Sequence, residues 1–495
     1  MAVELHIALC CMPAWGHVRP MILLAERLAE AGHKVSFLAS KGMVPTCLEA
    51  CTSHGVVFVG LEDGLVPESE GSDMGKPRDL RQHPVMFARD SMLAPLVDAI
   101  QGMERRPDML ISDHLTWAGG CAADALGIRH AVHASWPLVM LEKVGVLAPL
   151  SPVAGSLGNA FYRLRKRWAP HWAQPPGPPH FFLEEVRQMC RRGLLLVTSS
   201  FGLEPPRPLP PRVKLIGRGR APTPGAQTGP GGKEGTGRGG GLAAHPELQA
   251  FLDANNTVVY VTFGSRLAPS QAQVQALAEG LVAGKWAVVW SCKQPSCLPQ
   301  DLPADLFFVR PWLPQEALLS HPHVLAVVSH CGMGGLSETA LAGKPAVAIP
   351  FLISADQPLN AAAAAAAGWA VPLPPAGGGR ALTGSAVTRA VEKALGDPAV
   401  RAAAVQARAA AESGRHGRTA VDAVEAACLY GTAHLEGGRG AGARRRRLRR
   451  WLLWGTEDAG AAAGGAAAAA ALAAASVGLL AVVGGWGVSG QGGCR

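Results

Sequence analysis

The stretch from Trp312 to Gln357 reads WLPQEALLSHPHVLAVVSHCGMGGLSETALAGKPAVAIPFLISADQ and decides the fold of its half of the chain. An apolar run, Val324–Ser329, is followed by a glycine-rich turn and a helical segment, Leu336–Ala342, which Gly343 and Pro345 end. Consecutive apolar residues are typical of a parallel strand covered on both faces. The pattern predicts a strand–turn–helix unit whose glycines let backbone N–H groups approach an anion such as a diphosphate.

The same alternation of apolar runs and helical segments continues through most of the chain. The first helix is marked by an apolar stripe, with Pro20 expected in its first turn and Gly32 at its end. Further strands are predicted at Leu5–Cys11, Lys34–Leu38, Val56–Val59, Met109–Ser112, His130–Ala134, Leu194–Ser199, Thr257–Phe263, Trp286–Ser291, Phe307–Val309 and Ala346–Pro350. Strand–helix alternation of this kind predicts doubly wound parallel sheets.

A glycine- and proline-rich stretch over residues 218–241 lacks apolar periodicity and separates two α/β halves. We predict an N-terminal Rossmann-like domain over residues 1–205, a flexible linker over 206–244 and a C-terminal Rossmann-like domain with a closing helix over 245–433. Ligands bind beyond the carboxyl ends of the strands in open α/β sheets. Two such domains that face each other would form a cleft and would each hold one ligand.

The basic residues are concentrated at the end of the chain. Eight arginines and three acidic residues follow Leu435, so this tail carries +5 of the formal net charge of +9. The rest of the chain is weakly basic, which argues against a nucleic-acid-binding protein. Within residues 434–495, an arginine run precedes an uncharged segment rich in alanine and glycine. This composition leaves two interpretations open, a low-complexity tail or a membrane contact through residues 444–488.

Eleven cysteines occur without a CxxC pair or a spacing typical of zinc ligands. Several lie in apolar runs, which predicts reduced and buried thiols. A strand-like run, Glu4–Cys11, follows the first residues without a charged leader or a cleavage site. We therefore expect a cytoplasmic protein whose membrane association, if any, would involve the tail, and we expect it to be a monomer.

Several side chains around the glycine turn suit a nucleotide. Trp312 offers a flat face to a base, and the Glu338 carboxylate, expected on the first helical turn, can accept hydrogen bonds from a ribose diol. His330 can donate a hydrogen bond to a phosphate beside the turn. A glycine-rich turn alone is most often only a tight turn, but that interpretation leaves the surrounding polar residues unexplained.

The whole segment resembles the nucleotide-sugar signature of the UDP-dependent family 1 glycosyltransferases. WLPQ, HCG, the glutamate eight residues after the histidine, GKP and the DQ pair all match that signature. The resemblance implies two facing Rossmann-like domains of the GT-B type that bind a UDP-sugar as donor substrate. It implies that uracil stacks on Trp312, that Gln315 lies near the base and ribose, and that Glu338 binds the ribose hydroxyls. The diphosphate contacts that it implies come from Ser265, His330 and the backbone of Gly332, Gly334 and Gly335. Asp356 and Gln357 would contact the sugar.

This sequence departs from the plant members of the family at two places. Met333 and Gly334 stand where those members usually have tryptophan and asparagine, and two residues are inserted before Asp356. The insertion lies beside the residues expected to hold the sugar, so the choice of donor sugar is left open. Glucose is the commonest donor sugar in the family and is the expected one here.

A second group of candidate residues lies near the start of the chain. His17, in CMPAWGHVRP, follows the first predicted strand, and Asp113 ends another strand of the same predicted sheet. A neutral imidazole can take a proton from a hydroxyl, and a carboxylate can orient it and stabilise its charged form. Taken alone, such residues are more often caps, but the resemblance implies that His17 is the base and Asp113 its partner. His114 and His133 are alternative bases.

The expected activity is inverting transfer of a sugar, with glucose expected, from a UDP-sugar to a hydroxyl of a small lipophilic acceptor. No DxD motif is present, so we expect neither a metal nor a cofactor. Two alternatives remain, a membrane-associated sterol or lipid glycosyltransferase and a non-catalytic scaffold that binds nucleotide sugars. Trp15, Trp117 and Trp136 would either line an apolar acceptor pocket or pack in the core.

Overall fold

The computed structural model describes residues 3–64, 91–143, 145–147, 186–191, 193–217, 241–264, 269–293, 295–351, 356–375, 381–416, 418–432 and 435. Ser265 and the membrane-contact segment proposed for residues 444–488 lie outside the described residues, as does the side chain of Trp15. In the described part, no helix combines the length and the apolar character that a bilayer crossing requires. Nine of the ten cysteines described are buried, as the apolar runs predict.

The first half forms a seven-stranded parallel sheet with the order β3-β2-β1-β4-β5-β6-β7. Its strands are β1 His6–Cys10, β2 Lys34–Ser40, β3 Val57–Leu61, β4 Met109–Asp113, β5 Arg129–Ala134, β6 Leu194–Val197 and β7 Val213–Leu215. Six of them occur where apolar runs predict strands. The seventh, β7, lies within the predicted linker, because its alternating apolar residues are too few to stand out beside many prolines.

The second half forms a six-stranded parallel sheet with the order β10-β9-β8-β11-β12-β13. Its strands are β8 Val258–Thr262, β9 Ala287–Ser291, β10 Phe307–Arg310, β11 Val324–Ser329, β12 Ala346–Ala348 and β13 Ala370–Pro372. This is the strand order of a Rossmann fold, so the predicted class of two Rossmann-like α/β domains is correct. The three-residue β13 was not predicted.

Helices connect the strands of both sheets. They are α1 Trp15–Glu30, α2 Val44–Thr52, α3 Leu93–Gln101, α4 Trp117–Leu126, α5 Leu138–Lys143, α6 Pro246–Ala254, α7 Gln271–Ala283, α8 Gln315–Ser320, α9 Met333–Leu341, α10 Gln357–Ala366, α11 Gly384–Gly396, α12 Pro398–His416 and α13 Thr419–Tyr430. α13 crosses back to the first sheet, where Val424 and Cys428 join the core that Leu9 and Phe37 form.

Two helices begin earlier than the sequence predicts. α1 starts at Trp15, so Pro20 lies inside the helix instead of in its first turn, and His17 is in the first turn. α9 starts at Met333, so Gly334 lies in its first turn and Glu338 is its sixth residue. The prediction that Glu338 lies on the first turn is therefore wrong. Glycines disfavour a helix interior, but they are well tolerated at this terminus, where N–H groups lack intrahelical partners.

Candidate functional site

Both groups of candidate residues lie where the strand order of a sheet reverses. In the first sheet β1 pairs with β4, with Cys10 opposite Ser112, and in the second sheet β8 pairs with β11, with Thr262 opposite Ser329. A crevice forms at such a point because the connections from the two neighbouring strands leave toward opposite faces. The connections that follow β1, β4, β8 and β11 carry most of the predicted site residues. The fold alone therefore makes these two strand edges the candidate ligand sites.

His17 and Asp113 form a hydrogen-bonded pair at the edge of the first sheet. His17 Nδ1 lies 2.9 Å from Asp113 Oδ1, and the carboxylate is completely buried while 17% of the imidazole is exposed. The Leu115 backbone N–H donates to Asp113 Oδ2 at 2.9 Å, which fixes the plane of the carboxylate. With Nδ1 donating to Asp113, the other ring nitrogen of His17, Nε2, is the basic one.

The charge state of Asp113 follows from its neighbours. Burial by itself raises the pKa of this carboxyl, but the adjacent His17 and His114 outweigh burial and hold the pKa well below its usual value. The Asp113 carboxylate is therefore ionised at neutral pH and can stabilise a positive charge on an imidazole.

The two alternative bases occupy different surroundings. His114 is fully buried, with Nδ1 3.0 Å from Asp113 Oδ1, and its ring packs edge-on against Trp136 at 4.4 Å. His133 is also buried, bonded through Nε2 to Thr198 Oγ1 at 2.6 Å, and burial lowers its pKa to about 3. Neither ring is exposed, so His17 is the imidazole of this group that a ligand can reach.

His17, Asp113 and His114 are also the residues of the described chain that are grouped closely enough to hold a metal ion, with one ligand atom each within 4.8 Å of one another. Nδ1 of both imidazoles, however, lies within 3.0 Å of the same carboxylate oxygen, and that of His17 forms a hydrogen bond with it. A metal would have to replace this hydrogen bond, so the geometry matches a hydrogen-bonded pair better than a ligand set. Trp117, one of the candidate acceptor residues, packs in the core.

The glycine turn of the second sheet is built around His330. Gly264, after β8, has a φ of +70°, and a Cβ there would lie 2.8 Å from the His330 ring. A Cβ on Gly332 would lie 2.5 Å from His330 Nε2. Cys331 has a φ of +67°, a conformation that non-glycine residues rarely adopt and that is often found at functional turns. The two glycines therefore make room for the imidazole beside the start of α9.

The imidazole of His330 is neutral at physiological pH. Desolvation lowers its pKa to about 4, although a hydrogen bond with the Thr262 backbone opposes the change. Among the described residues, Nδ1 of His330 has no hydrogen-bond partner. A neutral imidazole can still donate one hydrogen bond, and the N–H groups of the first turn of α9 add partial positive charge beside it.

Glu338 and Gln315 form a connected polar group behind this turn. Gln315 Nε2 donates to Glu338 Oε2, while Gln315 Oε1 accepts from the Tyr260 hydroxyl and from Thr262 Oγ1, both at 3.1 Å. The carboxylate of Glu338 is 8% exposed. The two β8 residues fix the amide of Gln315, and the amide in turn orients the carboxylate.

Arg19, on α1, also contacts this polar group, a contact that the sequence does not predict. Its Nη1 lies 3.1 Å from Glu338 Oε1, and its Nη2 donates to Glu316 Oε1. The position of Arg19 two residues after His17 was visible in the sequence. Its partners were not, because they lie about 300 residues away along the chain.

The remaining predicted residues flank the same edge. Trp312 is 42% exposed, with the His245 ring 6.2 Å away, so its face is available for stacking. Asp356 Oδ2 accepts a hydrogen bond of 2.9 Å from Asn360, which also donates to the Cys331 carbonyl and so ties α10 to the glycine turn. Gln357 is buried, and its Oε1 accepts from the Phe351 N–H at 3.0 Å, so part of its polar capacity serves the fold.

Known proteins resemble this chain in sequence. A family model described as "UDP-glucoronosyl and UDP-glucosyl transferase" matches residues 241–407. UDP-glycosyltransferase 89B2 of Stevia rebaudiana is 25% identical over 393 residues, which cover 72% of this chain and 82% of that protein. A UDP-glycosyltransferase of Talaromyces amestolkiae is 28% identical over 312 residues, which cover 53% of this chain and 54% of that relative, so this match spans about half of its length.

Solved structures share the fold at low sequence identity. The crystal structure of Os79 from O. sativa in complex with UDP has a TM-score of 0.62 and 20% identity, covering 85% of this chain and 99% of that one. Arabidopsis thaliana UGT89C1 has a TM-score of 0.61 and 19% identity, covering 88% of this chain and all of that one. These neighbours show that the GT-B fold of two Rossmann-like domains extends over most of the chain.

Proposed function

The chain belongs to family 1 of the UDP-glycosyltransferases, and from this premise we propose that it moves a sugar from a UDP-sugar to a hydroxyl of a small acceptor with inversion at the sugar carbon C1. The observation that carries the proposal is the pairing of an accessible imidazole with a buried, ionised carboxylate at one strand edge. At the corresponding edge of the second sheet, a glycine-rich turn leads into α9, and we propose that it binds the diphosphate. The proposed base for the acceptor then lies at the first sheet, and the proposed site for the leaving diphosphate lies at the second.

His17 is the general base of the proposed reaction. Its Nε2 takes the proton of the acceptor hydroxyl as the oxygen forms its bond to C1 of the sugar. The bond between C1 and the diphosphate oxygen breaks on the opposite side, and UDP leaves with the electron pair. Asp113 keeps Nδ1 protonated, so that Nε2 is the nitrogen that accepts the proton, and stabilises the imidazolium that results.

The leaving diphosphate gains its negative charge next to the start of α9. The N–H groups of the first helical turn and the His330 side chain can donate hydrogen bonds to its oxygens, and this stabilisation grows as the bond to C1 breaks. The neutral state of His330 makes it a hydrogen-bond donor that does not hold the product as a fixed charge would. Ser265 follows Gly264 in sequence and is proposed as a further contact.

The nucleoside part of the donor is assigned to the polar group behind the turn. We assign the uracil to the face of Trp312 and the ribose hydroxyls to Glu338, whose carboxylate Gln315 orients. Asp356 and Gln357 are proposed to contact the sugar, with glucose as the expected sugar. The acceptor is proposed to be lipophilic, because the partly buried Trp136 packs against His114, whose ring lies 5.3 Å from that of the base.

A screen of donors against acceptors tests this function. The protein is incubated with UDP-glucose, UDP-galactose, UDP-glucuronic acid or UDP-N-acetylglucosamine and with mixed phenols or sterols, and products are identified by mass spectrometry. We expect a glycoside and UDP in equal amounts with at least one pair. If UDP binds in a calorimetric titration but no pair yields a glycoside, the non-catalytic scaffold is the better explanation.

A further inference from the structure

Arg19 lies on the same helix as the proposed base and is turned toward the other sheet. It is the fifth residue of α1, two positions after His17, and 34% of its side chain is exposed. Residues two apart on a helix point in different directions, so Arg19 cannot share the contact between His17 and Asp113. Its guanidinium instead contacts residues on α8 and α9, so α1 contributes side chains to the candidate sites at the strand edges of both sheets.

Two carboxylates from helices beside the second sheet contact this one guanidinium. Glu316, in the first turn of α8, pairs with Nη2, and Glu338, in α9, pairs with Nη1 at 3.1 Å. Glu316 is 37% exposed and next to Gln315 in sequence, whereas Glu338 is 8% exposed. Because Gln315 also donates to Glu338, one connected set of hydrogen bonds runs from α1 through α8 to α9.

The chemistry of the guanidinium suits this bridging position. Its planar fork directs separate N–H groups at two acceptors, and it stays charged at every physiological pH. It places one positive charge beside two carboxylates, and one of these, Glu338, is almost fully buried. A lysine ammonium would supply the charge without the fork.

We propose that Arg19 is a positioning residue for sugar transfer: it ties the helix that carries His17 to the carboxylate assigned to the ribose and so holds the base in register with C1 of the sugar. This inference rests on the function proposed above. Arg19 Nη1 lies beside Glu338 Oε1 and Gln315 donates to Glu338 Oε2, so together they orient both carboxylate oxygens for the proposed ribose contact.

The variant Arg19→Gln tests this role in the full chain, with kcat, donor KM and UDP affinity measured separately. Since a displacement of about 1 Å can cost up to about a hundredfold in rate, we expect kcat to fall about tenfold or more. UDP affinity should weaken no more than about threefold, because Trp312, Gln315 and Glu338 all remain. Arg19→Lys should recover part of kcat, since it restores the charge.

Glu316→Gln supplies a second, surface-exposed variant that leaves every proposed ligand contact in place. Glu316→Gln should also lower kcat. The double variant with Arg19→Gln should lose no more kcat than Arg19→Gln alone, because both changes break the same contact. Arg418→Gln is the matched control, because Arg418 also pairs with two carboxylates, Asp422 and Glu425, but is exposed on another part of the chain. Its kcat should equal that of the unaltered protein.

Two results would overturn the role of Arg19. These are an unchanged kcat in Arg19→Gln and losses that simply add in the double variant. If kcat is unchanged and the UDP complex is tighter, Arg19 only covers Glu338. If the unaltered protein transfers sugar and Arg19→Gln transfers it equally well, the positioning role fails while the proposed function stands. If the unaltered protein transfers no sugar to any acceptor, both fail.

Discussion

Replacing Asp113 by asparagine changes the proposed catalytic pair with the least change in shape. The Leu115 N–H already donates to Oδ2, so the asparagine oxygen has to take that position and its NH₂ group has to face His17. Since the NH₂ group can only donate, Nδ1 of His17 becomes an acceptor and Nε2 carries the proton. The variant then presents the wrong tautomer of His17 to the acceptor hydroxyl.

The magnitude follows from the separation of the two groups. Opposite unit charges 2.9 Å apart attract by about 6 kcal/mol at an effective dielectric constant of about 20. If the proton is about half transferred in the transition state, about 3 kcal/mol is lost, which is roughly a hundredfold in rate. The tautomer change adds to this loss, so we expect kcat to fall by about 10² to 10⁴.

The assay is the initial rate of UDP release with the best donor and acceptor from the screen, together with calorimetric titration of UDP. UDP affinity should change little, because Asp113 lies at the edge of the first sheet and the nucleotide residues lie at the second. Asp108→Asn is the matched control, since Asp108 precedes the opposite end of β4 and accepts the His6 N–H at 2.8 Å. A kcat of Asp113→Asn within threefold of the control would refute the assignment of the pair.

Four further variants test other parts of the site. His17→Ala should abolish transfer and leave UDP affinity nearly intact; wild-type turnover would remove it as base. Glu338→Ala should weaken UDP binding about tenfold or more by calorimetry, since a charged hydrogen-bond acceptor is lost, and unchanged affinity would end its ribose role. Gly332→Ala should also weaken UDP binding, because the new Cβ would lie 2.5 Å from His330 Nε2; normal affinity would show that the turn can adjust. Burial lowers the pKa of His133 to about 3 in the folded state, against 6.5 in the unfolded chain. Between these pH values the unfolded chain binds one more proton, so stability present above pH 6.5 is lost as the pH falls toward 3. In the His133→Asn variant, the free energy of unfolding from urea denaturation should depend less on pH between pH 6 and 4, with a slope against pH lower by about 1.4 kcal/mol per pH unit. An equal slope in the variant and the unaltered protein would contradict a buried neutral His133.

The sequence predicts the strands of the interior well because parallel strands covered on both faces are apolar without interruption. Val324–Ser329 is predicted to the residue. It predicts short edge strands poorly, since Val213–Leu215 and Ala370–Pro372 gain their conformation from neighbours in the sheet and have little pattern of their own. Helix starts at glycine-rich or proline-containing turns are displaced by a few residues for the same reason, because the tertiary surroundings override weak local preferences.

The sequence by itself determined the fold class, the order of its elements and the chemical types gathered after the carboxyl ends of particular strands. These features depend on the local pattern of residue types, which can be read directly from the sequence. Only the tertiary structure decided which side chains meet: that His114 and His17 share one carboxylate, that two glycines shape the space for His330, and that Arg19 joins Glu316 and Glu338. These contacts join residues that are distant in sequence or set by exact backbone angles, and the packing of whole sheets and helices fixes them.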